Sequence, residues 1–203
     1  MSDPRIILAS QSPRRADLLR MLGLTFETMP ADIDESYHAG EQPAPHAERL
    51  ARGKAQEIAA RERGAIVIGS DTVVIVDDEL LGKPRDQAQA VAMLMRLQGR
   101  EHEVATGIAV AADGILRSGV ERVRVRFRPF GEDLAEAYVA TGEPMDKAGA
   151  YGIQGFGATL VERIEGDYFA VMGLPICRMI GLLESVGLLY DFRGLAMEGD
   201  VST

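Results

Sequence analysis

The chain has 203 residues, 46% hydrophobic and 26% charged, which is the balance of an ordinary globular protein long enough to bury a real core. Its formal net charge of −9 repels phosphate backbones and disfavours general nucleic-acid binding. No apolar run approaches the roughly 20 residues of a membrane span, and the opening MSDPRIILAS lacks the apolar stretch of a signal peptide. The single cysteine, Cys177, makes no intrachain disulfide, so a reducing, cytoplasmic setting without a membrane partner is expected.

In chain order, RIILA (5–9) reads as a buried strand. Ser12 is a good N-cap and Pro13 is well placed at N1, predicting a helix over 13–22 that Gly23 ends. LTFETM gives a second short strand, followed by the acidic turn ADIDES. A long helix is predicted over 45–63, and AIVIGSDTVVIV (65–76) is strongly strand-like. Asp86 can cap a helix running to Leu97, with Gln89 completing a capping box. HEVATGIAVAA and ILRSGVERVRVRF suggest antiparallel strands joined at Asp113 and Gly114. A helix over 131–141 follows, then the glycine-rich KAGAYGIQGFGA, strands at ATLVERI and YFAVM, and a closing helix over 175–186. Strands alternating with helices, plus adjacent hairpins, predict an α/β fold with a mixed sheet. A single domain over 1–189 is expected, with a polar, flexible tail over 190–203.

Several charged side chains fall where apolar ones belong. In the first helix, Leu18, Leu19 and Leu22 define the buried face; Arg15 lies on it and Arg14 at its edge, while Asp17 and Arg20 point outward. Two inward arginines beside free helix amides call for a negative partner, either a polyphosphate or an internal carboxylate. Lys54 sits mid-helix within the apolar stripe of Leu50 and Ile58, which favours a cleft over snorkelling into solvent. Asp71 interrupts an apolar strand, where an unpaired carboxylate costs several kcal/mol. Gly69 and Ser70 before it suggest that something approaches the backbone closely. Lys83 lies in a loop, and Asp32, Asp34 and Glu35 form an acidic turn that could offer oxygen ligands to Mg²⁺; taken alone, each is as readily a solvated surface feature. Gly149, Gly152, Gly155 and Gly157 alternate with Tyr151, Ile153, Gln154 and Phe156, a pattern that can wall a pocket with an amide to read a base edge. GxGxxG, GxxxxGK[ST], HExxH, CxxC and GxSxG are all absent, and His38, His46 and His102 lack metal-ligand spacing.

Taken together, LASQSPRR, RLARGKA, IGSDTVV, LGKPRD, DKAGAYGIQGFG and VMGLPI resemble, in order, the Maf family of nucleoside triphosphate pyrophosphatases. That resemblance implies a mixed twisted sheet flanked by helices, with two lobes around a central cleft as in inosine triphosphate pyrophosphatases. It also implies hydrolysis between the α- and β-phosphates with a divalent metal, Mg²⁺ or Mn²⁺, on a nucleoside triphosphate substrate, and leaves room for a homodimer. By position, Asp71 resembles the proton acceptor and Glu35 a catalytic or metal-binding carboxylate, the pair forming the metal site. Ser10, Arg14, Arg15, Lys54 and Lys83 resemble the phosphate-handling set, with Lys54 and Lys83 acting at the reacting centre. Arg14, Thr72 and Gln154 resemble the branch that prefers dTTP and UTP. A 7-methylguanosine triphosphate preference and a nucleotide-binding role in division or septation are the rival expectations. Thr72, adjacent to Asp71, should point to the opposite face of its strand and act through pocket shape.

Overall fold

A computed structural model of the chain describes residues 4–192 and 194–197. Seven strands form one mixed sheet: β1 (Ile6–Leu8), β2 (Glu27–Thr28), β3 (Ile66–Val76), β4 (Glu79–Leu81), β5 (Glu101–Ala112), β6 (Ile115–Phe127) and β7 (Val161–Glu165). Around it lie α1 (Pro13–Met21), α2 (Pro43–Arg61), α3 (Gln87–Leu97), α4 (Glu132–Ala140), α5 (Tyr168–Met172) and α6 (Ile176–Glu184). The α/β class with a mixed sheet flanked by helices is therefore as expected. None of the described helices is long and apolar enough to cross a membrane.

β3 organises the site. On one side it pairs with β5 from Val67 to Ile75. On the other side it pairs with β1 only at residues 66–68 and with β4 only at residues 74–76. Residues 69–73 thus face a gap in the sheet, and Asp71 stands at its centre. The strand's alternation sorts the two faces. Val67 and Val73 pack under α2, whereas Ile66 and Ile68 belong to a core with α1 and α6, and Val74 and Val76 to a separate core with α3 and α4. Those two cores are the lobes, and the gap in β3 lies between them.

The close approach suggested by Gly69 comes from α2. A Cβ on Gly69 would lie 2.3 Å from the Ala51 carbonyl oxygen and 2.8 Å from the Ala55 nitrogen. On the neighbouring strand, a Cβ on Gly107 would lie 2.2 Å from the Ala47 carbonyl oxygen. Two glycines therefore let the α2 backbone settle directly onto the sheet. α2 itself starts two residues before its expected first residue, because Pro43 rather than Pro45 takes the N-terminal position after Gln42.

Other expectations need correction. YFAVM is one helical turn, α5, not a strand. Asp167 caps it by accepting the Phe169 amide, and Gly173 closes it at φ 110°, a conformation that disfavours side chains. β4 was not foreseen; it is returned by a tight turn at Asp77 and Asp78, both with positive φ, between the paired Val76 and Glu79. The turn at Asp113 and Gly114 matches expectation, with Ala112 opposite Ile115. Asp86 caps α3 through the Gln89 amide, but Gln89 Oε1 accepts from the Arg85 nitrogen, one residue outside a true capping box. The expected flexible tail after 189 is in part a hairpin: β8 (Leu188–Tyr190) pairs with β9 (Leu195–Met197), Leu195 is buried, and Tyr190 donates to the Leu22 carbonyl. Residues 193 and 198–203 of that tail lie outside the described residues.

Two predictions follow from this packing. Gly69→Ala forces backbone against backbone, so it should destabilise the fold by about 1–3 kcal/mol or more, read as a lower urea midpoint with unchanged m-value. His102 is buried with its Nε2 on the Tyr151 hydroxyl, and burial pulls its pKa down to about 4. Between about pH 6.5 and 4 the unfolded chain binds this proton more readily, so stability falls as pH falls through that window, by roughly 3 kcal/mol at its lower end. Urea titrations at pH 7 and pH 4 should show a smaller loss for His102→Gln than for the unsubstituted chain.

Candidate active site

Between the lobes opens a cleft of about 670 Å³, within the range of small-molecule sites. Ser10, Arg14, Arg15, Glu35, Lys54, Asp71, Thr72, Lys83 and Gln154 all line it. Residues from six separate segments of the chain, spaced over 144 positions (154 − 10), thus converge on one site.

The centre is a shared cation. Lys54 Nζ lies 2.7 Å from Asp71 Oδ1 and 2.6 Å from Glu35 Oε1. Lys54 reaches it because α2 rests on the sheet at Gly69 and Gly107, so its mid-helix position faces the β3 gap instead of solvent. Lys54 and Asp71 keep only 11% and 15% of their side-chain surface exposed, whereas Glu35 keeps 57%. The pair is therefore enclosed and Glu35 is its solvent-side partner. Burial raises the Glu35 pKa, but the Lys54 hydrogen bond and the charges of Lys54, Lys83 and Arg15 together hold it below the ordinary carboxylate range. No hydrogen bond among the described residues occupies Asp71 Oδ2, which leaves that oxygen for a guest. Asp34, by contrast, turns back to accept the Ser36 amide, and of the turn's three carboxylates Glu35 is the one that lines the cleft.

The two arginines differ in their partners. Arg14 Nη1 lies 2.8 Å from Asp146 Oδ2, a carboxylate on the 3-10 turn Glu143–Asp146. Arg15 has no carboxylate within ion-pair distance among the described residues. Its guanidinium instead donates to the Gly173 carbonyl at 2.7 Å, Thr72 Oγ1 at 3.1 Å and Ser10 Oγ at 3.1 Å. Burial lowers its pKa, partly offset by the charge of Asp71. Asp17 and Arg20 pair with each other on the outside, as expected. Ser10 Oγ also accepts the Ser12 amide at 3.1 Å, so its own proton is left to donate into the cleft.

Thr72 does face away from Asp71, as strand alternation requires, towards Arg15 and Thr106. Lys83 is exposed on its loop at the cleft edge, with the Gly82 carbonyl beside it held by the Gly149 amide. Gln154 is partly buried in extended conformation just before the 3-10 turn Gly155–Leu160.

Sequence reasoning missed Asp146 and Lys147. Lys147 Nζ lies 2.7 Å from Asp146 Oδ1, so Asp146 bridges Arg14 and Lys147 across the cleft wall. Both were visible in DKAGAYGIQGFG, but adjacent opposite charges in a loop carry no periodic signal. His46 also lines the cleft with its Nδ1 2.9 Å from Glu41; it escaped notice because its spacing to other histidines is uninformative. Among the described residues, no cluster of three or more His, Cys, Asp or Glu side chains could hold a metal by itself.

The Maf-like protein family model matches residues 5–186. A protein named dTTP/UTP pyrophosphatase from Methylobacillus flagellatus is 50% identical over 186 residues, covering 91% of this chain and 94% of that one. A protein of the same name from Geobacter sulfurreducens is 49% identical over 192 residues, covering 93% of this chain and 100% of that one. The solved structure of a HAM1 protein from Coxiella burnetii is similar at a TM-score of 0.46 and 16% identity, over 78% of this chain and 80% of that one. The match takes in α1, α2, β3 and the glycine-rich loop, the elements that bring the shared lysine and the two arginines together, and the chain belongs to the Maf-like protein family.

Proposed function

We propose that this chain hydrolyses dTTP and UTP to the nucleoside monophosphate and pyrophosphate. The carrying observation is the enclosed Lys54 bridging Asp71 and Glu35, in a cleft with four further cations at its wall, Arg14, Arg15, Lys83 and Lys147. Relatives about half identical over nearly their whole length bear the name dTTP/UTP pyrophosphatase, which supports the same substrate class.

The residue chemistry fits attack by water on the α-phosphorus. Asp71 Oδ2 accepts a proton from the attacking water as its oxygen bonds to the α-phosphorus. The bond from that phosphorus to the α–β bridging oxygen breaks, and the electron pair leaves with pyrophosphate. Lys54 aims Asp71 through its hydrogen bond to Oδ1 and leaves Oδ2 towards the water. Arg15, held by three neutral acceptors, carries an uncompensated charge that suits a phosphate. Lys83 and Arg14 face the charge that develops on the leaving group. Ser10 has a proton to donate to a phosphate oxygen.

Two carboxylates alone are too few to cage a cation, yet they fit Mg²⁺ or Mn²⁺ that completes its shell with water and substrate phosphates. Glu35 and Asp71 would hold it. When bound, such an ion supplies positive charge against the phosphate oxygens.

Base choice falls to Gln154, whose amide offers a donor and an acceptor matching the O4 and N3–H edge shared by uracil and thymine. Replacing a nucleotide that satisfies that edge by one that does not leaves a buried polar group unpaired, worth roughly 1–3 kcal/mol.

A nucleotide panel with product identification tests this reading. dTTP and UTP should give monophosphate plus pyrophosphate, with kcat/KM about tenfold or more above that for CTP, ATP and GTP. Equal rates on all five, or diphosphate plus phosphate as products, would refute it. Asp71→Asn should lower kcat by about two to four orders of magnitude while the cooperative melt persists. Near-normal turnover by a folded Asp71→Asn protein would remove Asp71 from the chemistry.

A further inference from the structure

The segment that carries Gln154, residues 152–157, has no strand ladder or α-helix to hold it, yet three of its backbone amides are engaged by two side chains outside it. Glu143 Oε2 accepts the Phe156 amide at 2.9 Å, and Glu143 Oε1 accepts the Gly157 amide at 3.0 Å and the Tyr138 hydroxyl at 2.8 Å. The same Tyr138 hydroxyl accepts the Gly152 amide at 3.0 Å. The loop is thereby pinned at residue 152 and again at 156 and 157, and Gln154 lies midway between the pins.

The glycines are shaped around this carboxylate. A Cβ on Gly155 would lie 2.4 Å from Glu143 Oε2, and Gly155 has φ 72°, so the backbone folds around the carboxylate at a place where no side chain fits. A Cβ on Gly157 would lie 2.6 Å from the Tyr138 hydroxyl oxygen. The carboxylate is stable there as an anion. Burial raises its pKa, but the Gly157 and Phe156 amides, the Tyr138 hydroxyl and the Lys147 charge together bring it below the ordinary range. Tyr138, on α4, is buried and fixed in the core of its lobe.

We infer that Glu143, with Tyr138, is a positioning residue for base selectivity: its carboxylate holds residues 152–157 in the one backbone course that presents the Gln154 amide to the base. It touches neither phosphates nor the reacting water, so it acts on discrimination and leaves the chemical step to Asp71 and the cations. This rests on Gln154 reading the base, as proposed above. The chemistry of the anchor also fixes which substitution disrupts it. Glutamine in place of Glu143 offers one acceptor oxygen where the carboxylate offers two, and turns an N–H₂ donor towards one of the loop's own donors. One amide then loses its partner and the loop is free to leave its course.

The test measures kcat/KM for dTTP and for CTP on the unsubstituted chain, Gln154→Leu, Glu143→Gln and Tyr138→Phe, each checked by thermal melt. Glu143→Gln should cut the dTTP to CTP ratio at least about fivefold, with kcat for dTTP changed less than about threefold. Tyr138→Phe, which removes only the acceptor for Gly152 and one donor to Glu143, should cut the ratio by a smaller factor and serves if Glu143→Gln does not fold. The double variant Glu143→Gln with Gln154→Leu should show no further loss beyond Gln154→Leu alone. If Gln154→Leu leaves the ratio unchanged, the reading of Gln154 is wrong and the inference falls with it. If Gln154→Leu flattens the ratio while Glu143→Gln and Tyr138→Phe lower only the melting temperature, the inference alone is overturned.

Discussion

The site depends on one arrangement, a lysine enclosed between two carboxylates where a strand has lost its neighbour. Taking an ion out of water costs several kcal/mol, and Lys54 recovers that only because Asp71 and Glu35 both lie within 2.7 Å of its nitrogen. Removing Lys54 leaves two carboxylates, one of them enclosed, without their shared cation, so the lysine holds the site together. The arrangement also demands that α2 come down onto the sheet, since a helix at ordinary distance would carry Lys54 past Asp71. Gly69 and Gly107 set that distance by having no Cβ to meet the Ala51 and Ala47 carbonyls. Two residues with no chemistry of their own therefore decide whether the chemistry assembles.

The gap in β3 explains why this strand can carry a carboxylate at all. A continuous ladder on both sides would bury Asp71 in apolar packing. With β1 pairing only residues 66–68 and β4 only residues 74–76, the intervening stretch opens to the cleft. The chain leaving β1 at Ala9 then turns into α1, delivering Ser10, Arg14 and Arg15 to the same opening. Ligand sites in open α/β sheets favour such points, where the strand order divides and the ends of strands face a crevice. On the far side of β3, Ser70 donates to the Gly107 and Gly173 carbonyls and Thr106 to the Ala170 carbonyl, so the floor of the cleft is internally satisfied. The charged wall is left as the part with unmet demand, which is what a polyanionic guest meets.

Much of this was legible in the sequence because it breaks periodic rules. Lys54 in an apolar stripe, Asp71 in an apolar strand and Arg15 on a buried helix face each contradict their own element. All three line the cleft. The helices and long strands were legible for the complementary reason, since Pro13, Asp86, Gly23 and the Asp113–Gly114 turn agree with their surroundings. What stayed hidden has no period. YFAVM reads as a strand by composition, but Asp167 and Gly173 supply a cap at each end, and five residues between two caps close as one helical turn. β4 is three residues long and needs two aspartates at positive φ to return it, a cost no composition shows. Asp146 matters through Arg14, 132 positions away, a contact that exists only once the lobes are assembled, and Glu143 through amides 13 and 14 positions away that no periodicity links to it.

The two halves of the site are built from different materials. The groups assigned to the phosphates and the water come mostly from regular elements: Asp71 from a strand, Lys54, Arg14 and Arg15 from helices. Backbone hydrogen bonds fix those positions to within the small tolerance that bond making needs. The group assigned to the base comes from a glycine-rich segment with no strand ladder or α-helix to define it, only a 3-10 turn that begins at Gly155. Loops on a rigid scaffold tolerate change without disturbing that scaffold, so substrate choice can vary there while the reacting centre stays put. A loop left loose, however, would present Gln154 in many orientations and discriminate poorly. A carboxylate that fills the turn from inside supplies the missing definition, with two amides and a tyrosine hydroxyl fixed on one anion. Rigidity in this half thus rests on two side chains, Glu143 and Tyr138, so the proposed base selectivity is vulnerable to single substitutions that leave the groups assigned to the chemistry in place.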